Sequence, residues 1–213
     1  MPKPRVLIAD DHRIVVEGLK KLLEPEFEVA GTVQDGRGLV EAAEKLHPDV
    51  IVADISMPGL NGIEAVRQIK KGHKQMKVVF LTMHPDVAYA AKAFKSGASG
   101  YVLKHSAPDE LVAAIRAALQ GGTYVTPLIA GKLLKSLQDG APDQAETVSR
   151  LTPREHEVLQ LLAEGRSVKE IAAILAVSVK TAEYHKYRLM ENLGIKTMAE
   201  LIRYAVKQGI TSL

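Results

Sequence analysis

The sequence predicts an α/β protein in which a five-stranded, doubly wound parallel sheet is followed by a second, all-α domain of four helices. Two observations predict this. Short, continuous runs of β-branched and aliphatic residues alternate with amphipathic helical patterns up to about residue 125, and only helical patterns follow. Continuous apolar runs of this length are typical of strands that are buried on both faces of a parallel sheet.

Five strand-helix units fill the first part of the chain. The strands are predicted near residues 5–9, 27–32, 50–53, 77–81 and 100–103. The helices are predicted over residues 14–23, 38–46, 63–71, 87–95 and 110–119. Five units of this length suggest a doubly wound sheet with helices on both faces. The expected strand order is 2-1-3-4-5, which brings the ends of strands 1 and 3 together at the switch point.

The second part of the chain is helical and clearly punctuated. A short amphipathic helix is expected over residues 128–137, and an exposed linker follows, with the domain boundary between about 138 and 148. Thr152-Pro153-Arg154-Glu155 and Ser167-Val168-Lys169-Glu170 are capping boxes, and Ser178 is a further N-cap candidate. Helices are predicted over residues 153–164, 168–175, 179–193 and 198–208. The resulting division is 1–125 for the first domain, 126–149 for a linker with a short helix, and 150–213 for the second domain.

Composition excludes several classes of protein. Apolar residues make up 46% of the 213 residues, so a substantial core can form, but aromatic residues are only 4%. Cysteine is absent, which excludes disulfides, zinc-thiolate sites and a thiol nucleophile. No apolar run approaches membrane-spanning length and residues 1–5 do not resemble a signal peptide, so we expect a cytoplasmic protein without membrane contact. The net charge of +3 does not by itself indicate nucleic-acid binding.

Polar side chains follow four of the five predicted strands, where each strand ends. Because ligands bind at the carboxyl ends of the strands in such sheets, these side chains should converge. They are Asp10, Asp11, Asp54, Thr82 and Lys104. Carboxylates that lie close together repel one another, so each makes the others harder to ionise. A Mg²⁺ ion between them would offset this repulsion and keep all three ionised. A carboxylate beside the metal can attack a phosphoryl donor and form an acyl phosphate. Asp54 is the best nucleophile because it follows the central strand.

Each of these residues also has an ordinary structural interpretation. An Asp after a strand is often a helix N-cap, and for Asp10 or Asp11 alone that interpretation is favoured. A single Lys at a strand end is usually solvated, and a single Thr usually makes a local hydrogen bond. Four such positions at four of five strand ends favour a functional site.

Several segments together resemble the receiver domain of response regulators over roughly residues 4–122. They are Ile8-Ala9-Asp10-Asp11-His12, the run from Asp54 to Gly62, Leu81-Thr82 and Leu103-Lys104. The resemblance implies a flavodoxin-like fold and a phosphoprotein in which Asp54 accepts a phosphoryl group from a partner histidine kinase. It implies that Asp11 and Asp54 ligate Mg²⁺, with Asp10 helping through water and Ser56 through its backbone carbonyl. It also implies that Thr82 and Tyr101 form a switch pair, in which the hydroxyl moves towards the phosphate and the aromatic ring turns inward. One departure is His105, which follows Lys104 where many receivers have a cis-proline.

The helices near 168–175 and 179–193, joined by a short turn, fit a helix-turn-helix. In the second of them Ala182, Leu189 and Leu193 share the inward face, whereas charged residues and tyrosines lie opposite. Basic residues there can meet phosphates, while Glu183 and the tyrosines can meet base edges. Periodicity alone also allows a simple packing module with a solvated face. Residues 151–213 contain nine Lys or Arg and seven Asp or Glu, a net charge of +2, which predicts weak non-specific binding and a need for dimerisation.

The same region resembles a LuxR-type helix-turn-helix over about residues 150–210. The matching segments are Leu151-Thr152-Pro153-Arg154-Glu155, Lys169-Glu170-Ile171-Ala172 and Val179-Lys180-Thr181-Ala182-Glu183. With the receiver resemblance, the chain resembles a NarL/FixJ-type regulator. This implies binding of double-stranded promoter DNA, homodimerisation on activation and RNA polymerase as a further partner. The implied DNA contacts are Lys180, Thr181, Glu183, Tyr184, Lys186, Tyr187 and Arg188. The implied dimer contacts on the last helix are Met198, Leu201, Ile202 and Ala205.

The sequence therefore favours a two-component response regulator in which phosphorylation switches DNA binding and transcription regulation. A rival hypothesis is an aspartyl-phosphate hydrolase with a helical cap. Such enzymes usually carry a second acid two residues after the nucleophile as general acid or base, and Ser56 occupies that position, so we expect no enzyme. A third hypothesis, an interaction protein with a vestigial receiver, conflicts with the presence of Asp11, Asp54, Thr82 and Lys104.

Overall fold

A computed structural model of the chain describes residues 2–106, 108–138 and 151–211. The strands are β1 (Arg5–Ala9), β2 (Glu28–Val33), β3 (Val50–Ala53), β4 (Lys77–Thr82), β5 (Gly100–Leu103) and β6 (Tyr124–Val125). The helices of the first domain are α1 (Arg13–Leu23), α2 (Gly36–Leu46), α3 (Gly62–Gly72), α4 (Val87–Lys95) and α5 (Pro108–Leu119). They are followed by α6 (Pro127–Gln138), α7 (Pro153–Ala163), α8 (Val168–Ile174), α9 (Val179–Leu193) and α10 (Met198–Lys207).

The sheet is parallel, with the order β2-β1-β3-β4-β5-β6. The predicted order of the first five strands is confirmed, and so is the doubly wound class. The predicted count of five is corrected by β6, a two-residue edge strand in which Tyr124 pairs with Gly100 and Val125 with Tyr101. Two residues are too short for a recognisable hydrophobic pattern, which is why the sequence did not indicate this strand.

Each face of the sheet is covered by its own apolar cluster. On one face Val6, Ile8, Val52 and Val79 pack against α1 and α5, and on the other Leu7, Ile51, Phe80 and Tyr101 pack against α2, α3 and α4. All four residues of β3 are buried, as a central strand with helices on both sides requires. The sheet is therefore fixed from both sides, and its carboxyl edge is a rigid platform.

Helix α6 extends this domain. Its residues Ile129 and Leu133 are buried in the cluster that contains α4. Residues 126–138 of the predicted linker, 126–149, are described and contain α6. The rest of that linker and nearly all of the predicted boundary, between about 138 and 148, lie outside the described residues, so the exact division of the chain stays a prediction.

The C-terminal domain packs four helices around a core of aliphatic side chains. The core includes Val158, Leu159, Ile171, Leu189 and Leu201, each at most 1% exposed. Both predicted capping boxes are present, at Thr152 with Glu155 and at Ser167 with Glu170. Such caps satisfy backbone N–H groups at the first turn of a helix and fix where it begins. A third capping box, at Thr197 with Glu200, starts α10.

Candidate functional site

The carboxyl edge of the sheet brings the predicted acidic residues together. Asp10 follows β1 and Asp54 follows β3, and the backbone N–H of Asp54 donates to the carbonyl of Ala9 at 2.8 Å. One ligand atom each from Asp10, Asp11, His12 and Asp54 all lie within 4.8 Å of one another. Asp10 and Asp54 are 1% and 4% exposed, whereas Asp11 is exposed. The site thus has two buried carboxylates and one that faces solvent.

Lys104 lies between the two buried carboxylates. Its Nζ is 2.6 Å from Oδ2 of Asp54 and 2.7 Å from Oδ2 of Asp10. Burial raises the pKa of Asp54, and the adjacent ammonium acts in the opposite direction. Burial disfavours the charged form of Lys104, but its hydrogen bonds to the two carboxylates raise the pKa of the lysine overall. A fixed cation at this point can also neutralise a phosphoryl oxygen at Asp54.

The loop between β3 and α3 folds back on Asp54. A Cβ atom on Gly62 would lie only 2.1 Å from the carbonyl oxygen of Asp54, so this close approach requires glycine. The side chain of Asn61 accepts a hydrogen bond from the N–H of Glu64 and caps α3. Ser56, two residues after Asp54, donates its N–H to Oδ1 of Asp54 at 3.2 Å. The backbone around Ser56 is consequently held beside the carboxylate cluster.

The predicted switch pair lies on the next two strands. Thr82 is fully buried at the end of β4, and its Oγ1 accepts a hydrogen bond from the N–H of His84 at 3.3 Å. Tyr101 is fully buried in the inward orientation, and its hydroxyl donates to the carbonyl of His84 at 2.8 Å. Burial raises the pKa of the Tyr101 hydroxyl well above its usual range. Both members of the pair therefore contact the loop between β4 and α4.

His84 occupies a central place between two loops of the site. Its Nε2 is 2.8 Å from the Ser56 hydroxyl, and its ring stacks on Tyr89 with ring centroids 4.2 Å apart. Burial lowers the pKa of His84. The histidine thus joins the β3–α3 loop to α4. Nothing in the spacing of the histidines could have identified this contact, because it depends on two loops meeting in space.

In the C-terminal domain, α8, the turn at Ala176 and α9 form a helix-turn-helix. Ala182 and Leu189 of α9 are buried, while most of the predicted DNA-facing side chains are exposed, with Tyr184 at 56% and Tyr187 at 69%. Lys180, Glu183 and Arg188 are also exposed, and Thr181 and Lys186 are partly exposed. Arg188 donates to the Tyr184 hydroxyl at 3.1 Å. Lys180, Glu183, Tyr184 and Tyr187 lie on the exposed face that their spacing predicted, whereas the DNA contacts themselves stay a prediction.

The predicted dimer contacts on α10 need a correction. Leu201 and Ala205 are 0% exposed in the core of the C-terminal domain, so the prediction that they contact a second copy is wrong. They lie on the inward face of an amphipathic helix that packs on α7. Met198 and Ile202 are partly exposed and remain candidates.

Comparison with known proteins identifies both domains. Residues 6–116 match the family of response regulator receiver domains, and residues 149–205 match the bacterial regulatory proteins of the luxR family. The transcriptional regulatory protein MctR of Rhizobium johnstonii is 40% identical over 213 residues, which cover 99% of this chain and 97% of MctR. The oxygen regulatory protein NreC of Staphylococcus epidermidis is 39% identical over 217 residues, covering 97% of this chain and 98% of NreC.

A solved structure of RcsB from Salmonella enterica serovar Typhimurium, bound to a promoter with the phosphomimetic BeF3−, is also similar. It is 33% identical, with a TM-score of 0.62 over 96% of this chain and 99% of that chain.

Within the described residues, no helix is long and apolar enough to cross a membrane. The chain belongs to the NarL/FixJ-type response regulators of two-component systems, transcriptional regulators that join a receiver domain to a LuxR-type helix-turn-helix.

Proposed function

We propose that Asp54 is the phosphoacceptor of this regulator and that its phosphorylation by a partner histidine kinase switches promoter binding. The observation that carries the proposal is the position of the Asp54 carboxylate. It is 4% exposed, lies 2.6 Å from the Lys104 ammonium, and shares the sheet edge with two further carboxylates. Kinase and DNA would both meet the protein in the cytoplasm.

The acidic cluster fits Mg²⁺. Asp10, Asp11 and Asp54 offer hard oxygen ligands close together, and the Ser56 carbonyl would complete the protein ligands beside them. When bound, the ion would offset the negative charge that the carboxylates and the phosphoryl donor bring together. Asp54 would supply the attacking oxygen, and Lys104 would hold a phosphoryl oxygen by its ammonium.

The signal would leave the site through the β4–α4 loop. If the Thr82 hydroxyl turns towards a phosphoryl group on Asp54, it gives up the hydrogen bond that it accepts from the N–H of His84. The inward position of Tyr101, bonded to the carbonyl of the same residue, would keep the shifted loop in place. A phosphoryl group can shift this equilibrium only by the difference in its contacts with the two loop conformations.

The output would be DNA occupancy by a dimer. Lys180, Lys186 and Arg188 would meet phosphates, while Glu183, Tyr184 and Tyr187 would reach base edges and Thr181 would support the start of α9. Two such helices in successive major grooves require a roughly palindromic site. We place dimer contacts around Met198 and Ile202, and we expect RNA polymerase as a further partner at the promoter.

Covalent labelling tests the proposal. Incubation of the full chain with phosphoramidate and Mg²⁺ should add one phosphoryl group, located at Asp54 by mass spectrometry, and Asp54→Asn should remain unlabelled. A phosphoryl group on another residue would refute the assignment. Multiple turnover of a phosphoester substrate would instead support the hydrolase hypothesis, although Ser56 occupies the position of the general acid or base that such an enzyme needs.

A further inference from the structure

The C-terminal domain docks on the receiver through a polar face of α7. Glu157, Gln160 and Glu164 are spaced by three and four residues, which places them on one side of α7 and the turn that follows it. Glu157 and Gln160 are buried, at 9% and 2% exposure. Glu157 is 3.0 Å from Arg37 of α2, so this face lies against the receiver. A polar contact between domains of one chain is typical of a reversible interface.

Gln160 binds the backbone of the β3–α3 loop at two points. Its Oε1 accepts the N–H of Asn61 at 2.7 Å, and its Nε2 donates to the carbonyl of Met57 at 2.8 Å. Oε1 of Glu164 accepts a hydrogen bond from the N–H of Gly59 at 2.9 Å and a second from Nε2 of Gln160 at 2.8 Å. Two side chains of the C-terminal domain therefore hold three backbone groups of the loop that follows Asp54.

The same contact closes one side of the acidic site. A cavity of about 160 Å³ is lined by Asp11, Ser56, Met57 and Pro58 of the receiver and by Glu164, Ile210 and Thr211 of the C-terminal domain. The outer wall of this cavity is thus supplied by the DNA-binding domain. Glu164 adds a carboxylate to an entrance that already contains Asp11.

A second contact reaches the β4–α4 side. Nζ of Lys92 donates to the backbone and side-chain carbonyl oxygens of Gln208, at 3.1 and 3.0 Å. Gly209 lies so close to Tyr89 that an added Cβ would overlap the phenol ring, and Tyr89 carries the stacked His84. The C-terminal domain therefore rests on the β3–α3 loop and on α4, whose Tyr89 in turn contacts His84 of the β4–α4 loop.

We propose that the docked C-terminal domain completes the phosphoacceptor pocket and slows phosphoryl transfer to Asp54. In this proposal Gln160 is a positioning residue that restrains the β3–α3 loop, and Glu164 repels the anionic donor. The inference rests on the proposed function of Asp54.

The test measures labelling of the full-length chain by phosphoramidate. In that reaction an Asp54 carboxylate oxygen forms the bond to phosphorus, the P–N bond breaks, and its electron pair leaves with the nitrogen as protonated ammonia. Gln160→Met fills the same space but cannot make the two hydrogen bonds, and Glu164→Gln removes only the charge. We expect each variant to be labelled about fivefold faster or more than wild type. Lys169→Ala, an exposed residue of α8, is the matched control and should label at the wild-type rate.

Three readouts separate this role from a general structural one. A gain in rate cannot result from misfolding of the receiver, and an unchanged urea-unfolding midpoint of the C-terminal domain would show that this domain stays folded in each variant. Glu164→Gln should act by lowering the half-saturating donor concentration. Gln160→Met should also change the Mg²⁺ concentration that gives half-maximal labelling, because the loop carries Ser56. Since the chain has no cysteine, Lys92→Cys with Gln208→Cys creates a unique pair. Joining that pair with a short cleavable crosslinker should slow labelling, and cleaving the linker should restore it.

Wild-type rates in both α7 variants and in the crosslinked protein would overturn the inference. That result differs from failure of the proposed function, in which the wild-type chain is not labelled at Asp54 at all. Slower labelling of Gln160→Met would equally contradict the inference, since it would mean that the docked loop assists phosphoryl transfer.

Discussion

Lys104 shows how much one side chain contributes at the residue scale. It is the cation that contacts both buried carboxylates, Asp10 and Asp54. Two carboxylates at such close range repel each other, and burial prevents water from screening them. The sequence placed all of these residues at one sheet edge, because parallel strands bring their carboxyl ends together. It predicted a metal ion between the carboxylates, but it did not indicate that Lys104 would itself contact both of them.

Removing this cation should destabilise the receiver in a metal-dependent way. In chelator at neutral pH, Lys104→Met should lower the free energy of unfolding by about 3 kcal/mol, because it leaves two buried carboxylates unpaired. Millimolar Mg²⁺ should restore most of the loss. Urea unfolding with and without Mg²⁺ measures this, and Lys71→Met on the exposed end of α3 is the control. An equal loss in both conditions would show that the lysine acts by packing and not by charge.

At the scale of the element, the turn of the helix-turn-helix contains a strained residue. Ala176 has a φ of 52°, in the left-handed region that residues with a Cβ rarely adopt. The short turn redirects the chain between α8 and α9 and fixes the orientation of the DNA-facing helix. The strain is thus located where it sets the angle between two functional helices.

Relieving that strain should stabilise the C-terminal domain. For an L-residue the left-handed conformation costs roughly 1–2 kcal/mol, whereas glycine loses about 0.4–1 kcal/mol through its unfolded state. Ala176→Gly should therefore stabilise the domain by about 0.5–1 kcal/mol in thermal or urea unfolding. Ala173→Gly, within the helical part of α8, should destabilise it instead. Destabilisation by Ala176→Gly would mean that the methyl group contributes more by packing than the turn loses by strain.

The elements whose limits the sequence predicts are those fixed by local caps or by burial on both faces. Helix α9 has the predicted limits, because Ser178 caps its start and Gly194 ends it in a left-handed conformation. The limits of β3 and β5 also match, since their residues are buried on both sides. Strand β6 and the inward positions of Leu201 and Ala205 were not predicted, because both depend on how these segments pack against other elements. The polar face of α7 has the pattern of a solvated surface, and only docking buries it.

At the scale of the whole molecule, docking leaves the DNA-facing side of α9 open. Tyr184 and Tyr187 stay exposed while α7 and the end of α10 contact the receiver. Control by simple burial of the recognition helix does not fit this arrangement. Restraint of the C-terminal domain against dimerisation on DNA fits it better, since the segment after α10 is held by Lys92 of α4.

Docking should depend on pH through His156. This residue is buried, its Nδ1 lies 3.2 Å from the carbonyl of Thr152, and Glu155 is the nearby acid of its own helix. Burial, together with the positive charges of Arg67 and Lys92 on the receiver, lowers the pKa of the imidazole. The docked form therefore binds fewer protons than the undocked form, whose histidine has an ordinary pKa near 6.5. Docking should be strongest above that value and weaken below it, by at most about tenfold per pH unit.

Energy transfer between dyes on the two domains measures this dependence. Lys21→Cys on α1 and Lys169→Cys on α8 provide exposed labelling sites in a chain without cysteine. Transfer should change between pH 7.5 and 5.5 in the parent protein and remain nearly constant in His156→Gln. The same pH response in both proteins would assign the effect to other groups.

The measurement that tests the central claim most directly is the affinity of the full-length chain for its promoter with and without phosphoramidate. The promoter fragment would come from genome-wide binding of the same protein, and Asp54→Asn would be titrated in parallel at fixed salt. We predict that phosphorylation tightens binding by about fivefold to 150-fold in the wild type and leaves Asp54→Asn unchanged. An equal gain in both proteins, or no gain in a wild type labelled at Asp54, would contradict the account.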